Sequence, residues 1–154
     1  IEKRRTQGCD VTGIHERYAR EALAKKEADL CAPSLQQLGL RPGVLRLLQW
    51  AQKRGLIQVV YSDYRADYKL EALNIESFFR ARYEGEVLGR IKPDPHGFAK
   101  MIQEHHVQAK EVCHLGDGLH TDALAALHAG VRCLIVGRDF NKFEDLADRL
   151  DSPS

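Results

Sequence analysis

Between Leu56 and Leu150 the chain switches repeatedly between short β-rich runs and stretches with helical spacing. Leu56-Ile57-Gln58-Val59-Val60-Tyr61 is the first apolar run, and a weaker extended piece spans Ala81–Val87. Val112–Leu115 and Val131–Val136 follow as further strands. Helices are expected near Ala66–Leu73, after Asp94-Pro95, over Thr121–Ala129 and around Phe143–Leu150. Asp94 before Pro95 suits a helix start, because proline's fixed φ and missing N–H are tolerated in the first turn. Gly130 suits a helix end. Strand and helix in strict alternation restrict the fold to an α/β class with a parallel sheet and helices on both faces. Its crossovers should be right-handed.

Upstream the pattern changes. Residues 13–30 are rich in Ala, Glu, Lys and Arg, with Ile14, Tyr18, Ala22 and Leu30 as one helical face. Thr12 is a candidate N-cap and Pro33 a candidate break. After Pro42, residues Val44, Leu47, Leu48 and Ala51 keep i, i+3, i+4, i+7 spacing until Gly55. With 154 residues, one domain with a real core is expected. The net charge of +1 argues against a nucleic-acid partner. No apolar run approaches the roughly 20 residues that cross a bilayer, so no membrane partner is expected. Cys9, Cys31, Cys113 and Cys133 lie far apart with no CxxC pair, which favours reduced thiols and a cytoplasmic setting. Nothing in the sequence fixes an oligomeric state. The first residue is Ile1 and the single methionine is Met101, so a fragment or processed product is expected.

In an open parallel sheet, ligands bind beyond the carboxyl ends of the strands. Ser62-Asp63 follows the strand ending at Tyr61, and Gly116-Asp117-Gly118-Leu119-His120-Thr121-Asp122 follows the one ending at Leu115. Between them Lys92 precedes the turn Pro93-Asp94-Pro95. Each has an ordinary reading alone: Ser62 as a turn residue, Lys92 as a solvated lysine, Asp122 or Thr121 as a helix cap. The order of all of them on an alternating framework is what singles them out.

As a set these residues resemble the haloacid-dehalogenase-like hydrolase superfamily. There a Ser or Thr ends the second core strand, a Lys precedes a later helix, and a GDxxxxD loop follows the fourth strand. Ser62, Lys92 and the pair Asp117/Asp122 stand in that order. Arg41-Pro42-Gly43 and Ala129-Gly130-Val131 also match, so the likeness covers roughly residues 40–150. It implies a three-layer α/β/α Rossmann-like core over residues 41–154, with residues 1–40 as a partial helical cap or lead-in. It further implies phosphomonoester hydrolysis, with a small phosphorylated metabolite as partner. Ser62, Asp63 and Lys92 would meet the substrate, Ser62 and Lys92 would serve catalysis, and Asp117 and Asp122 would hold Mg²⁺. The residue types suit these roles, since Mg²⁺ takes oxygen ligands and one or two carboxylates. Lysine supplies a compact positive charge against a phosphoryl group.

Members of that family open with an apolar strand ending in DxDx(T/V), which carries the nucleophile and the general acid/base. Cys9-Asp10-Val11-Thr12 is the nearest string, with one acid and no apolar run before it. The expectation is therefore a phosphatase represented without its nucleophile; the alternative is a non-catalytic binding or interaction domain. Metal-free dehalogenases of the family carry a different loop where this chain has GDxxxxD, which points to phosphoryl chemistry. By resemblance the absent strand belongs between the strands ending at Tyr61 and Leu115. Its loss leaves them about 10 Å apart. A slot filled by Ile1–Asp10 or by residues from outside the chain is expected, rather than direct pairing of the two strands.

Overall fold

The structure, a computed structural model, describes residues 11–151. Helix α1 (Val11–Lys26) includes Thr12, which therefore stands within the helix rather than at an N-cap position. Nor does Pro33 stop the chain from spiralling. A π-helical turn (Glu27–Cys31) leads straight into α2 (Ala32–Leu38), with Pro33 in the first turn of α2. Proline is harmless there because its missing N–H falls where the preceding turn has already widened. The Ser34 hydroxyl donates to the Leu30 carbonyl across this join, at 3.1 Å. Helix α3 (Val44–Lys53) starts after Gly43, whose φ is +86°. A Cβ on Gly43 would collide with the backbone of Phe143 and Glu144, so glycine lets α3 approach the last helix, α8 (Phe143–Asp151). Arg46 of α3 then pairs with Asp148 and Asp151 of α8.

Four strands follow in two parallel pairs. β1 (Val59–Ser62) pairs with β2 (Ala81–Glu84), with Tyr61 opposite Tyr83. β3 (Cys113–Gly116) pairs with β4 (Arg132–Ile135), with His114 opposite Cys133. The first strand begins at Val59, leaving Leu56 and Ile57 exposed outside it. Helix α4 (Asp67–Ala72) connects β1 and β2. The extended piece expected through Val87 ends at Glu84 instead, and Gly85–Leu88 form the short helix α5. The cause lies at Gly85. Its Cβ position is within 2.9 Å of the Asp63 and Arg90 carbonyls and of Ile91, a passage that only a glycine can make. Helix α6 (His96–His105) follows, its first N–H accepted by the Asp94 carboxylate at 2.8 Å. A second π turn (Leu119–Ala123) precedes α7 (Leu124–Ala129), and Gly130 closes α7 at φ +70°.

The layers are helix, sheet, helix, with the parallel strands of a Rossmann-like core. One face carries the main apolar cluster: Tyr61, Tyr83, Phe98, Met101, Ala125, Ala126 and Val131. Phe98 is completely buried. Among the described residues β1 and β3 do not pair, so the sheet is divided between them. Direct closure of the expected slot is therefore not what the fold adopts. Ile1–Asp10, the chain's own candidate filler, lies outside the described residues.

Candidate functional site

Ser62, the last residue of β1, and Gly116, the last of β3, stand at the carboxyl ends of the two strands flanking the division. Beneath that mouth three side chains span it. Phe98 packs edge-on against Tyr61 at 4.9 Å and against His114 at 5.1 Å, and Tyr61 lies 6.3 Å from His114. Lys92 reaches over the Tyr61 ring, its Nζ 4.9 Å from the centroid. It is one of two buried charged residues among those described, and the other is its partner. The Lys92 ammonium donates to Asp122 Oδ1 at 2.6 Å.

Both ends of Lys92 are held. Its backbone N–H donates to Asp63 Oδ1 at 2.9 Å, while the Asp63 carbonyl accepts the N–H of Glu86 at 3.1 Å. Asp63 therefore ties the Lys92 loop to the end of β1. Its neighbour Ser62 accepts the N–H of Tyr64 at 3.3 Å, with its own hydroxyl proton free to point into the mouth.

Asp122 is the most densely bonded acid among the described residues. Oδ1 accepts from Lys92 and from His114 Nε2 at 2.8 Å; Oδ2 accepts the N–H of Gly118 at 3.0 Å and of Asp117 at 3.4 Å. Burial alone would push this carboxyl up, but the hydrogen bonds from His114 and Lys92 outweigh it and hold the group well below the usual carboxylate range. The glycines make the wrapping possible. A Cβ on Gly116 would lie within 2.7 Å of Asp122 Cβ and Cγ, and one on Gly118 would strike Thr121. Asp117, by contrast, is exposed, and its carboxylate has no hydrogen-bond or ion-pair partner among the described residues.

All five sequence-selected residues thus stand at this mouth. Lys92, Asp63 and Asp122 are joined by hydrogen bonds, and Asp117 stands on the same loop, facing solvent. Ser62 shares the mouth without a direct bond to them. His114 escapes a motif search, because one histidine inside a four-residue strand matches no ligand spacing. Its signal is its place in the strand, three residues before Asp117, on the face that also carries Gly116. Asp10, the one acid considered for the nucleophile, lies outside the described residues.

A divalent cation fits this donor set in part. Asp117 offers a free, solvent-facing carboxylate of the kind Mg²⁺ uses with several waters. Asp122 has its acceptor positions taken by the chain's own donors. No group of three or more His, Cys, Asp or Glu side chains gathers for a metal among the described residues.

Comparison with known proteins agrees with this architecture. A family model described as a haloacid dehalogenase-like hydrolase matches residues 5–130. A phosphoglycolate phosphatase of Pseudomonas fluorescens is 28% identical over 116 residues, 73% of this chain and 42% of that protein. Phosphoglycolate phosphatase 1 of Pseudomonas aeruginosa is 26% identical over 140 residues, 88% of this chain and 50% of that protein. The chain thus spans about half the length of the curated relatives it matches. In fold, it resembles CbbY from Rhodobacter sphaeroides, solved in complex with phosphate. That likeness has a TM-score of 0.64 at 20% identity and covers 95% of this chain and 70% of that one.

Proposed function

Since this chain belongs to the haloacid dehalogenase-like hydrolases, we propose that it is the core of a Mg²⁺-dependent phosphomonoester hydrolase, represented without its nucleophile. The observation that carries the reading is the convergence of Ser62, Lys92 and the Asp117–Asp122 loop at the mouth between two unpaired parallel strands. Small phosphorylated metabolites are the substrate class, and phosphoglycolate, after which the curated relatives are named, is the first compound to try. Residues 41–154 form the catalytic core in this reading and residues 1–40 part of a cap. A cytoplasmic setting suits the free thiols of Cys31, Cys113 and Cys133.

The chain's own groups bind and orient. The Lys92 ammonium has three N–H bonds; Asp122 takes one, and the others can meet a phosphoryl oxygen. Burial over Tyr61 and the tether to Asp63 fix where that charge sits, so little reorganisation accompanies binding. The Ser62 hydroxyl can donate to a second oxygen. Because Asp122 already balances Lys92, a doubly charged phosphomonoester needs further positive charge at the mouth. The Asp117–Asp122 loop would hold the Mg²⁺ that supplies it, neutralising phosphoryl charge and polarising the ester.

A binding domain without catalysis is the second reading, favoured by the engagement of Asp63 and Asp122 with the chain's own donors. Turnover separates the two. Residues 1–154 should leave an aryl phosphate and phosphoglycolate intact with Mg²⁺ present, while a longer natural coding sequence should hydrolyse one of them and lose that activity in Lys92→Ala. Turnover by residues 1–154 that disappears in Asp10→Asn would place the nucleophile at the opening and overturn the fragment reading. Inactivity of the longer protein on both would favour the binding domain.

A further inference from the structure

We infer that His114 is a positioning residue of this site: it keeps Asp122 turned onto Lys92, so that Asp117 takes the cation and Asp122 aims the lysine. The inference rests on the phosphatase reading and divides the labour within its acidic loop.

Four observations carry it. A carboxylate offers about four lone-pair positions. Those of Asp122 meet Lys92, His114 and the two loop amides, leaving none for a metal unless a protein donor is given up. Second, the His114 ring cannot readily swing away. Its side chain is 13% exposed, stands on a strand, and is held edge-on by Phe98 with Tyr61 close by. Third, the loop is shaped around Asp122, since side chains at Gly116 or Gly118 would collide with Asp122 or Thr121. Fourth, Asp117 is exposed and unpartnered among the described residues, as a carboxylate waiting for a hydrated cation would be. Two donors converging on one oxygen, Lys92 from the β1 side and His114 from the β3 side, also fix the distance between the two halves of the mouth.

The test uses residues 1–154, with Mg²⁺ and its paramagnetic stand-in Mn²⁺ as probes and the side-chain ammonium resonance of Lys92 as the reporter of position. In the wild type, Mn²⁺ should broaden the Asp117 carboxyl resonance first, and saturating Mg²⁺ should leave the Lys92 signal in place. Asp117→Asn should weaken Mn²⁺ binding at least about tenfold. His114→Phe keeps a ring against Phe98 but removes the donor. It should shift or broaden the Lys92 signal and tighten Mn²⁺ binding, because Asp122 regains an acceptor position. His114→Gln, which retains an N–H donor, should bring both readouts back toward wild type. A folded His114→Phe that alters neither readout would overturn the inference. Should that variant not fold, the wild type still decides: a Lys92 signal that moves with Mg²⁺ as far as the Asp117 amide would show Asp122 leaving Lys92 for the metal. If Mn²⁺ binds wild type and Asp117→Asn alike, or neither, the metal-dependent reading itself fails, a result separate from any effect of His114.

Discussion

The two strand pairs share one geometry and differ in how they are covered. In the β1–β2 pair, Tyr61 and Tyr83 are buried side by side under α6, and Lys92 closes over Tyr61. The β3–β4 pair buries His114 toward Phe98 but leaves Cys113 exposed and Leu115 41% exposed. A strand in the middle of a parallel sheet is ordinarily covered on both faces. The exposure of Cys113 and Leu115, two residues apart on one face of β3, therefore marks a face left uncovered among the described residues, while Tyr61 of β1 is covered by Phe98 and Lys92. The pairs meet through Phe98 below and the Lys92–Asp122 ion pair at the mouth.

Breaking that join should have the largest effect. Asp122→Ala leaves the buried Lys92 ammonium uncompensated and should cost about 3–5 kcal/mol in chemical denaturation. Phe98→Ala, which opens a cavity against both Tyr61 and His114, should cost a comparable 3–5 kcal/mol or so. Leu115→Ala on the uncovered face of β3 should cost under about 1 kcal/mol, because solvent already reaches that side chain. Equal losses for Phe98→Ala and Leu115→Ala would show that β3 is covered after all.

Acid sharpens the same comparison. The folded Asp122 carboxyl is held below its ordinary value, and an unfolded aspartate titrates near about 3.9. Its contribution is therefore present in full well above pH 4 and drains away as pH falls below that value toward the depressed folded one. The stability gap between wild type and Asp122→Ala should shrink over that acid range, and a gap constant from pH 6 to pH 3 would contradict the ion-pair account. Smallest of all, Arg46→Ala should hardly move stability, since its bonds to Asp148 and Asp151 are exposed and screened.

Much of the fold is legible because its strands are short apolar runs bounded by glycine and polar residues, and because Ser62, Lys92 and Asp117 follow one another at strand ends. What escapes has physical reasons. Pro33 reads as a stop, yet a π turn lets the helix pass, a choice made by backbone geometry that no residue type announces. The helical turn at Gly85–Leu88 depends on a close approach to Asp63, 22 residues upstream, visible only once the chain is folded. The Lys92–Asp122 bond joins residues 30 apart, so spacing could nominate both but not pair them. His114 carries no motif; its meaning comes from sharing one oxygen of Asp122 with Lys92.

The claim that one phosphoryl site is assembled from both halves is tested most directly by titrating inorganic phosphate, with Mg²⁺ present, into residues 1–154 while following backbone amides. Ser62 and Asp63 at the end of β1, Lys92, and Asp117 and Gly118 after β3 should shift together along one saturation curve. Shifts confined to one strand pair, or none at millimolar phosphate, would contradict it.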